Sequence, residues 1–584
     1  MAVSRKVQGE VNQWQAHLEL AKQYRERYGM EHKWDRWRKY YRNEYSDSTI
    51  PVNMIFATGR SLIPRIYFRN PKIMVTPDQP GFFFHAKLVE AIDNKLVRLT
   101  GMKDQLKRSA LNAFLYGTGV GKVGYDSEFG FIDDDDSRQQ VAEMETLVGQ
   151  EIDEPSIEYD ANIIPGHPWF KSLHPRDLYV PWGTLEIKDS PWAAHRFVRH
   201  IDDVRADRKY VNASKVSPTH RTKSLSRDYE GVGNALDATP DAEYVELFEI
   251  HDLREGRIKV IATGYEGYLR NDPMPINMNK LPFHALIWNE DTDGFWGLSD
   301  CQMIEPQQLE LNEIRTQFQE HRKRSLLKVI MRRGAFSPED KDKLISGDVG
   351  PLLEADVDGS LRDAITTFQP FLGTDLITAG DVVRQDIREQ VGFSRNQMGE
   401  YDVRSRRTAT EAAIVDQAAQ IRVDERRDAL ADMYMEVIED FNRYIFEFWD
   451  EQQVAEIVGP DGRQHWVSFT GQQLHGRYSL TVDPEEAQPR SAAQRKMEAH
   501  ELLQMLAQFP PEMVNHNELL RDLGGMYDWV DVNRIMNVQE VPGGQPVVPI
   551  EQLQAEGGMP GPGGGGGGAS MSAMMELLGG MGQR

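Results

Sequence analysis

The chain has 584 residues, a length that at roughly 150 residues per domain allows about four units. Its hydrophobic fraction of 40% and charged fraction of 27% lie near ordinary globular usage, which excludes collagen-like and wholly disordered classes. Lys plus Arg is 67 against 91 for Asp plus Glu, and the resulting net charge of −24 opposes any design that wraps DNA by neutralising its phosphates, while leaving looser contact open. A single cysteine, Cys301, excludes an intramolecular disulfide framework and any Cys-based zinc cluster. There is no early charged-then-apolar signal, and no apolar run approaches the roughly 18 residues that a membrane span needs. The expectation is a soluble, acidic protein of several parts.

Residues 8–27 and 32–46 are polar, helix-forming stretches. The second carries Trp34, Trp37, Tyr40, Tyr41 and Tyr45 at the three- and four-residue spacing of a helix facing a core. In residues 51–77, Pro64, Pro71 and Pro77 punctuate an apolar segment and limit helix to its first half. Helical periodicity returns over 83–116, broken near Thr100 and Gly101 and ended by Gly117. From Val123 to Tyr265, short apolar runs between turn signals (WFKSLHPRDLYVP, AAHRFVRH, YVELFEIHDL, RIKVIATG) predict a sheet region with insertions. One insertion, 131–160, holds eleven acidic residues and one basic residue, Arg138; the Asp133–Asp136 run reads as a solvated loop rather than a metal site.

Ile304, Leu311, Ile314 and Phe318 mark one helix over about 299–325, which ends in the basic stretch His321 to Arg333. Gly334, Pro338, Gly347, Gly350, Pro351 and Gly359 then predict short strands and turns, before a second helix over 374–391 and a polar, basic loop. Residues 408–451 lack Pro and Gly, and Leu430, Tyr434, Val437, Phe441, Ile445 and Phe448 repeat every three or four residues. Such a helix would span roughly 66 Å, more than one globular core requires. A hairpin is expected in WVSFTGQQLHGRYSLTVDP, and helix again over 489–536. After Asn537 the Gly-, Pro-, Gln- and Met-rich tail, with six consecutive glycines from Gly563 to Gly568, cannot bury enough apolar surface to order itself.

The most enzyme-like string is YGTGVGKVGYD, residues 116–126. A phosphate loop needs Gly at Tyr116 and a hydroxyl at Val123, and a dinucleotide fingerprint must follow a strand and open a helix, the reverse of the order here. A flexible helix-to-strand turn is expected instead. His167 with His174, and His195 with His200, have no metal-ligand spacing, and no serine sits in a GxSxG elbow. The sequence supports no catalytic residue, no cofactor and no metal site.

Several strings, taken in order, resemble tailed-bacteriophage portal proteins, the head-to-tail connector family, over roughly residues 30–540. They are WDRWRKYYRNEY leading into NMIFATGRSLIPRIYFRNPKIMVTP, then LYGTGVGKVGYD, LHPRDLYVPWGTLEIKDSPWAAHRFVRH, and PFHALIWNEDTDGFWGLSD running into the long helix. The resemblance implies an α+β, portal-type fold: a mixed α/β wing, a helical stem, a small α/β clip, a long spine helix, a helical crown and a disordered Gly-rich tail. The implied parts are an N-terminal helical arm (1–29), wing (30–296), stem helix (297–325), clip (326–373), second stem helix (374–392), tunnel loop (393–408), spine helix with wing completion (409–488), crown (489–537) and tail (538–584).

The resemblance further implies a homo-oligomeric ring, usually of twelve subunits, at one capsid vertex of the virion, assembled in the host bacterial cytoplasm. Double-stranded DNA passes through its channel. The implied partners are the terminase large subunit, the major capsid protein and scaffold, and head-completion or tail adaptor proteins, with no membrane. Arg395, Arg404, Arg406 and Arg407 of the tunnel loop are the channel candidates, against a reading as solvated residues or intersubunit partners of Glu400 and Asp402. Arg322, Lys323, Arg324, Lys328, Arg332 and Arg333 are candidates for intersubunit pairing or partner docking as much as for DNA contact. The competing readings are another structural virion or scaffold protein, and a nucleotide-dependent DNA-processing enzyme, which the broken phosphate loop opposes.

Overall fold

The computed structural model describes residues 4–66, 73–77, 82–125, 166–221, 243–275, 280–325, 328–331, 337–346, 365–368, 375–392, 409–449, 453–458, 464–474, 478–482 and 548–549. The acidic insertion 131–160 lies outside them. The fold is α+β, and the chain divides into two compact units. One draws on Met1–Lys72, Lys95–Ile445 and Val482–Pro489, the other on Ile73–Asn94, Phe446–Thr481 and Arg490–Arg584.

The first unit is built around a six-stranded antiparallel sheet. Helix α1 (Arg5–Tyr28) presents Val11, Trp14, Leu18 and Ala21 on one stripe, the three-to-four spacing that places side chains on a single face. That stripe packs on Tyr179, Trp192, Ala194, Ile250 and Ile261 of the sheet. After α2 (Glu31–Tyr41), α3 (Met54–Ile66) carries Pro64 in its last turn. Next in the chain come β1 (Ile73–Pro77) and α4 (Phe83–Leu99), of which Ile73–Asn94 belongs to the second unit. Gly101, at φ +60°, breaks α4 from α5 (Met102–Tyr116), as the sequence predicts.

Strands β2 (Gly119–Tyr125) and β3 (Pro168–Leu173) pair antiparallel, Gly124 opposite Trp169 and Val123 opposite Phe170. The six-stranded sheet contains β4 (Leu178–Tyr179), β5 (Trp192–His200), β6 (His220–Arg221), β7 (Glu243–Asp252), β8 (Arg257–Ala262) and β9 (Tyr268–Pro273), ordered β4-β5-β7-β8-β9 with β6 beside β7. Its strands alternate: Phe197, Val245, Leu247, Val260 and Ala262 face away from α1, toward Ile201 and Val204 of α6 (Ile201–Ala206) and toward Tyr210, Ala213 and Val216. Both faces are therefore buried. Strand β10 (Phe283–Leu286) joins β2 to complete a three-stranded sheet, β10-β2-β3.

Helix α7 (Asp300–Arg324) leads to β11 (Lys328–Met331), which pairs antiparallel with β12 (Ile365–Phe368) across α8 (Pro338–Ser346). Helix α9 (Asp375–Val391) returns along α7, with Gly380 facing Leu311 and Ile314. Helix α10 (Ala409–Phe448), 40 residues and about 60 Å long, lies in the first unit up to Ile445.

In the second unit, Asn94 of α4 brackets Ile73, accepting from its N–H at 3.0 Å and donating to its carbonyl at 2.9 Å, and Glu90 accepts from Val75 at 3.1 Å. The remaining strands there are β13 (Gln453–Val458), β14 (Gln464–Phe469), β15 (Tyr478–Val482) and β16 (Val548–Pro549).

Four expectations need correction. The second helix ends at Tyr41, where Arg42 caps it, rather than running to 46; Tyr45 instead stacks on Tyr40 at 4.9 Å. The turn expected over Gly117–Gly124 shrinks to Gly117 and Thr118, and Gly119–Tyr125 is strand, all but Tyr125 buried. The hairpin expected in WVSFTGQQLHGRYSLTVDP does not form: β14 pairs with β13, and β15 with β1. The Gly-Pro-Asp-Gly-Arg sequence at 459–463 is a stronger turn former than the Gly-Gln-Gln-Leu between the supposed arms, which winds into a 3₁₀ turn. Lastly, Val548–Pro549, inside the tail expected to be disordered, pairs in parallel with β14 at its most β-prone residues, the PVVPI segment.

Candidate functional site

Helices α7 and α9 form an out-and-back excursion, and the first two thirds of α7, through Thr316, carry its ties to the elements before it. Ser299 caps it by accepting from the Cys301 N–H at 3.0 Å, while its hydroxyl faces the last carbonyls of α5, 2.7 Å from that of Leu115. Asp300 is held by Arg426 of α10 at 2.8 Å and accepts from the Trp288 indole N–H at 2.9 Å. Further along, Glu305, Gln308, Asn312 and Thr316 follow the three-to-four helical repeat and form a polar stripe. Glu305 accepts from Trp37 at 2.9 Å and pairs with Arg36 at 2.7 Å. Gln308 accepts from the Met54 N–H at 2.7 Å and donates to the Val52 carbonyl at 2.8 Å. Asn312 accepts from Val52 N–H at 2.8 Å, and Thr316 from Ile50 N–H at 3.0 Å. The backbone leading into α3 thus finds its partners on α7.

Beyond Asn312, α7 buries no further residue. Its last turn carries His321, Arg322, Lys323 and Arg324, basic residues at the helix end where the dipole favours positive charge. Arg322, Lys323 and Arg324 are exposed, with Arg324 3.4 Å from Glu320. An exposed pair of this kind contributes little to stability, so these heads are available for other anions. Lys328 opens β11 opposite Phe368. Arg332, Arg333 and the four loop candidates Arg395, Arg404, Arg406 and Arg407 lie outside the described residues. The structure therefore brings together three of the candidate cations at the end of α7.

The enzyme-like string does other work. Gly117, at φ +85°, caps α5, and a Cβ there would sit 2.0 Å from the Gly297 carbonyl oxygen. A Cβ on Gly121 would lie 2.2 Å from the Phe170 ring, and one on Gly124 2.2 Å from the Trp169 ring, so these glycines are sites where rings pack on bare backbone. Lys122, 1% exposed, pairs with Glu249 of β7 at 2.9 Å, and His251 bonds the same carboxylate oxygen. Burial pushes the Glu249 carboxyl up, but the Lys122 charge and the His251 bond hold it well below its usual range. That lysine is committed to an internal ion pair.

Of the histidines weighed from sequence, His174 accepts from the Arg176 N–H at 3.1 Å, and burial pulls its pKa down to about 4. His195 is buried in β5, its ring 5.3 Å from that of Phe197. Among the described residues no cluster of three His, Cys, Asp or Glu is placed to hold a metal, and no helix is long and apolar enough to cross a membrane. Sequence reasoning missed the Gln308–Asn312–Thr316 stripe, although its regular spacing was readable, and missed the Asp300–Arg426 tie, which has no local signal.

The family model described as Phage SU10 portal protein matches residues 112–539, from α5 through α10 and beyond. No curated protein matches the chain.

Proposed function

The chain belongs to the phage SU10 portal protein family, and from that premise we propose that it forms a ring at one capsid vertex, through which double-stranded DNA is packaged and later ejected. As a phage portal protein it is a structural part of the virion at the head–tail connection. The observation that carries the fuller reading is the family match over nearly three quarters of the chain, which takes in the α7–α9 excursion. In this reading α7 and α9 are the stem, residues 326–373 the clip, 393–408 the tunnel loop, α10 the spine of the wing, 489–537 the crown, and 30–296 with 409–488 the wing. The exposed cations at the end of α7 support a docking face at the stem-to-clip junction, where the terminase large subunit and then head-completion proteins bind in turn. The major capsid protein and scaffold surround the ring.

An acidic chain suits a channel that must let phosphate pass without gripping it, since affinity for DNA grows with each phosphate neutralised. The concentrated arginines of the 393–408 segment then steady the duplex through sequence-independent contacts repeated around the ring. The test replaces Arg404, Arg406 and Arg407 together by Ala. Rings and capsids still assemble, whereas DNA packaging or retention falls; Lys replacements largely preserve it, because charge rather than a bidentate fork is used. Assembly failure would favour intersubunit pairing with Glu400 and Asp402, and normal packaging would remove the proposed role.

A further inference from the structure

His284, on edge strand β10, is 3% exposed and lies between two carboxylates one turn apart on α10. Its Nδ1 is 3.1 Å from Glu436 and its Nε2 2.9 Å from Asp440. Both contacts are acceptor oxygens, and a neutral imidazole carries one N–H only; both are satisfied at once by the imidazolium alone. The other oxygen of each carboxylate is already taken. Lys188, from the 3₁₀ turn before β5, bonds Glu436 Oε1, and Lys280, before β10, lies 2.6 Å from Asp440 Oδ1. Arg443 stands 3.5 Å from that same Asp440 oxygen, and the β2 residue facing His284 in register is Gly121, which has no side chain. The lysines are thus already engaged on the far oxygens, and the oxygen of each carboxylate nearer the ring is held by His284.

We propose that His284 is a proton-operated latch between α10 and the three-stranded sheet. As the imidazolium it bonds both Glu436 and Asp440; on losing one proton to solvent it turns a nitrogen lone pair toward a carboxylate and releases that side of the helix. Burial alone would lower the His284 pKa, but the bonds to Asp440 and Glu436 and their charges outweigh it and raise the value above 6.5. A folded-state value above the unfolded one stabilises fully below 6.5, and the contribution is lost as pH rises through the raised value. Glu436 is the reciprocal partner: burial pushes it up, and the bonds from His284 and Lys188 hold it down at about 2.

The test is hydrogen–deuterium exchange on the full-length protein from about pH 6 to about pH 9, corrected for intrinsic rates, since this range spans an upward-shifted histidine. Wild type loses protection in peptides covering 281–287 and 433–443 at least about tenfold as pH rises, a change of about one unit in the logarithm of the opening constant. Peptides over β7 and β8 keep theirs. In His284→Gln the pH dependence disappears. In Glu436→Gln, a partly exposed position that tolerates the change, the loss shifts to lower pH by about one unit, as removal of one carboxylate partner requires. Matching pH profiles in wild type and His284→Gln, an unmoved profile in Glu436→Gln, or simultaneous loss of protection in β7 and β8 would each overturn the latch.

Discussion

Lys122 illustrates how one side chain changes meaning with its surroundings. Followed by Val123 and preceded by glycines it mimics a nucleotide site, yet its ammonium is fully buried against Glu249 and 5.7 Å from the Trp169 ring centre. Removing one member of a buried pair leaves the other charge uncompensated, so Lys122→Met is expected to destabilise the protein by about 3–5 kcal/mol. Denaturant midpoints check the loss. Equilibrium titration with ATP and magnesium should show no saturable binding to the wild type in the first place. Micromolar nucleotide affinity abolished by the substitution would reverse the assignment. Sequence could reject the phosphate loop because Tyr116 and Val123 stand at obligatory positions; it could not show Glu249, which comes from a strand more than a hundred residues away.

Among the elements, α7 is tied at its base to the start of α3 and to α10 and leaves its far end exposed. Gln308→Leu strips acceptors from two backbone N–H groups at the start of α3 and is expected to cost about 1–3 kcal/mol, the penalty of buried unsatisfied donors. Gln317→Ala, on the exposed side of the same helix, should stay within about 0.5 kcal/mol of wild type. Equal shifts in the unfolding midpoint for both variants would show that the stripe is not an anchor. Periodicity located α4, α5, α7, α9 and α10 within a few residues because each of these helices repeats its buried residues at helical spacing. It failed in the 453–482 region because strand partners are chosen nonlocally: β14 pairs with β13, and β15 leaves for β1.

For the whole molecule, the order of parts was legible and the functional surface was not. Among the described residues, helices, sheet region, paired helices and long helix follow one another as the sequence predicts, since each is specified by local pattern. A channel lining, in contrast, is a property of many copies arranged around an axis, and the contacts within one chain do not encode which side faces inward. The basic residues of 393–408 stand out only as charge concentrated in an acidic chain, and screening over a Debye length of about 8 Å makes each one weak alone.

Ring closure is therefore the claim on which the rest depends. Negative-stain imaging of the purified full-length protein, paired with native mass measurement over a range of concentrations and salts, addresses it directly. The account predicts closed rings with a single rotational axis and an open centre, at a mass that is a whole multiple of the 66.7 kDa chain. Monomers, or two-fold dimers that never close into rings, at every concentration and salt would contradict it.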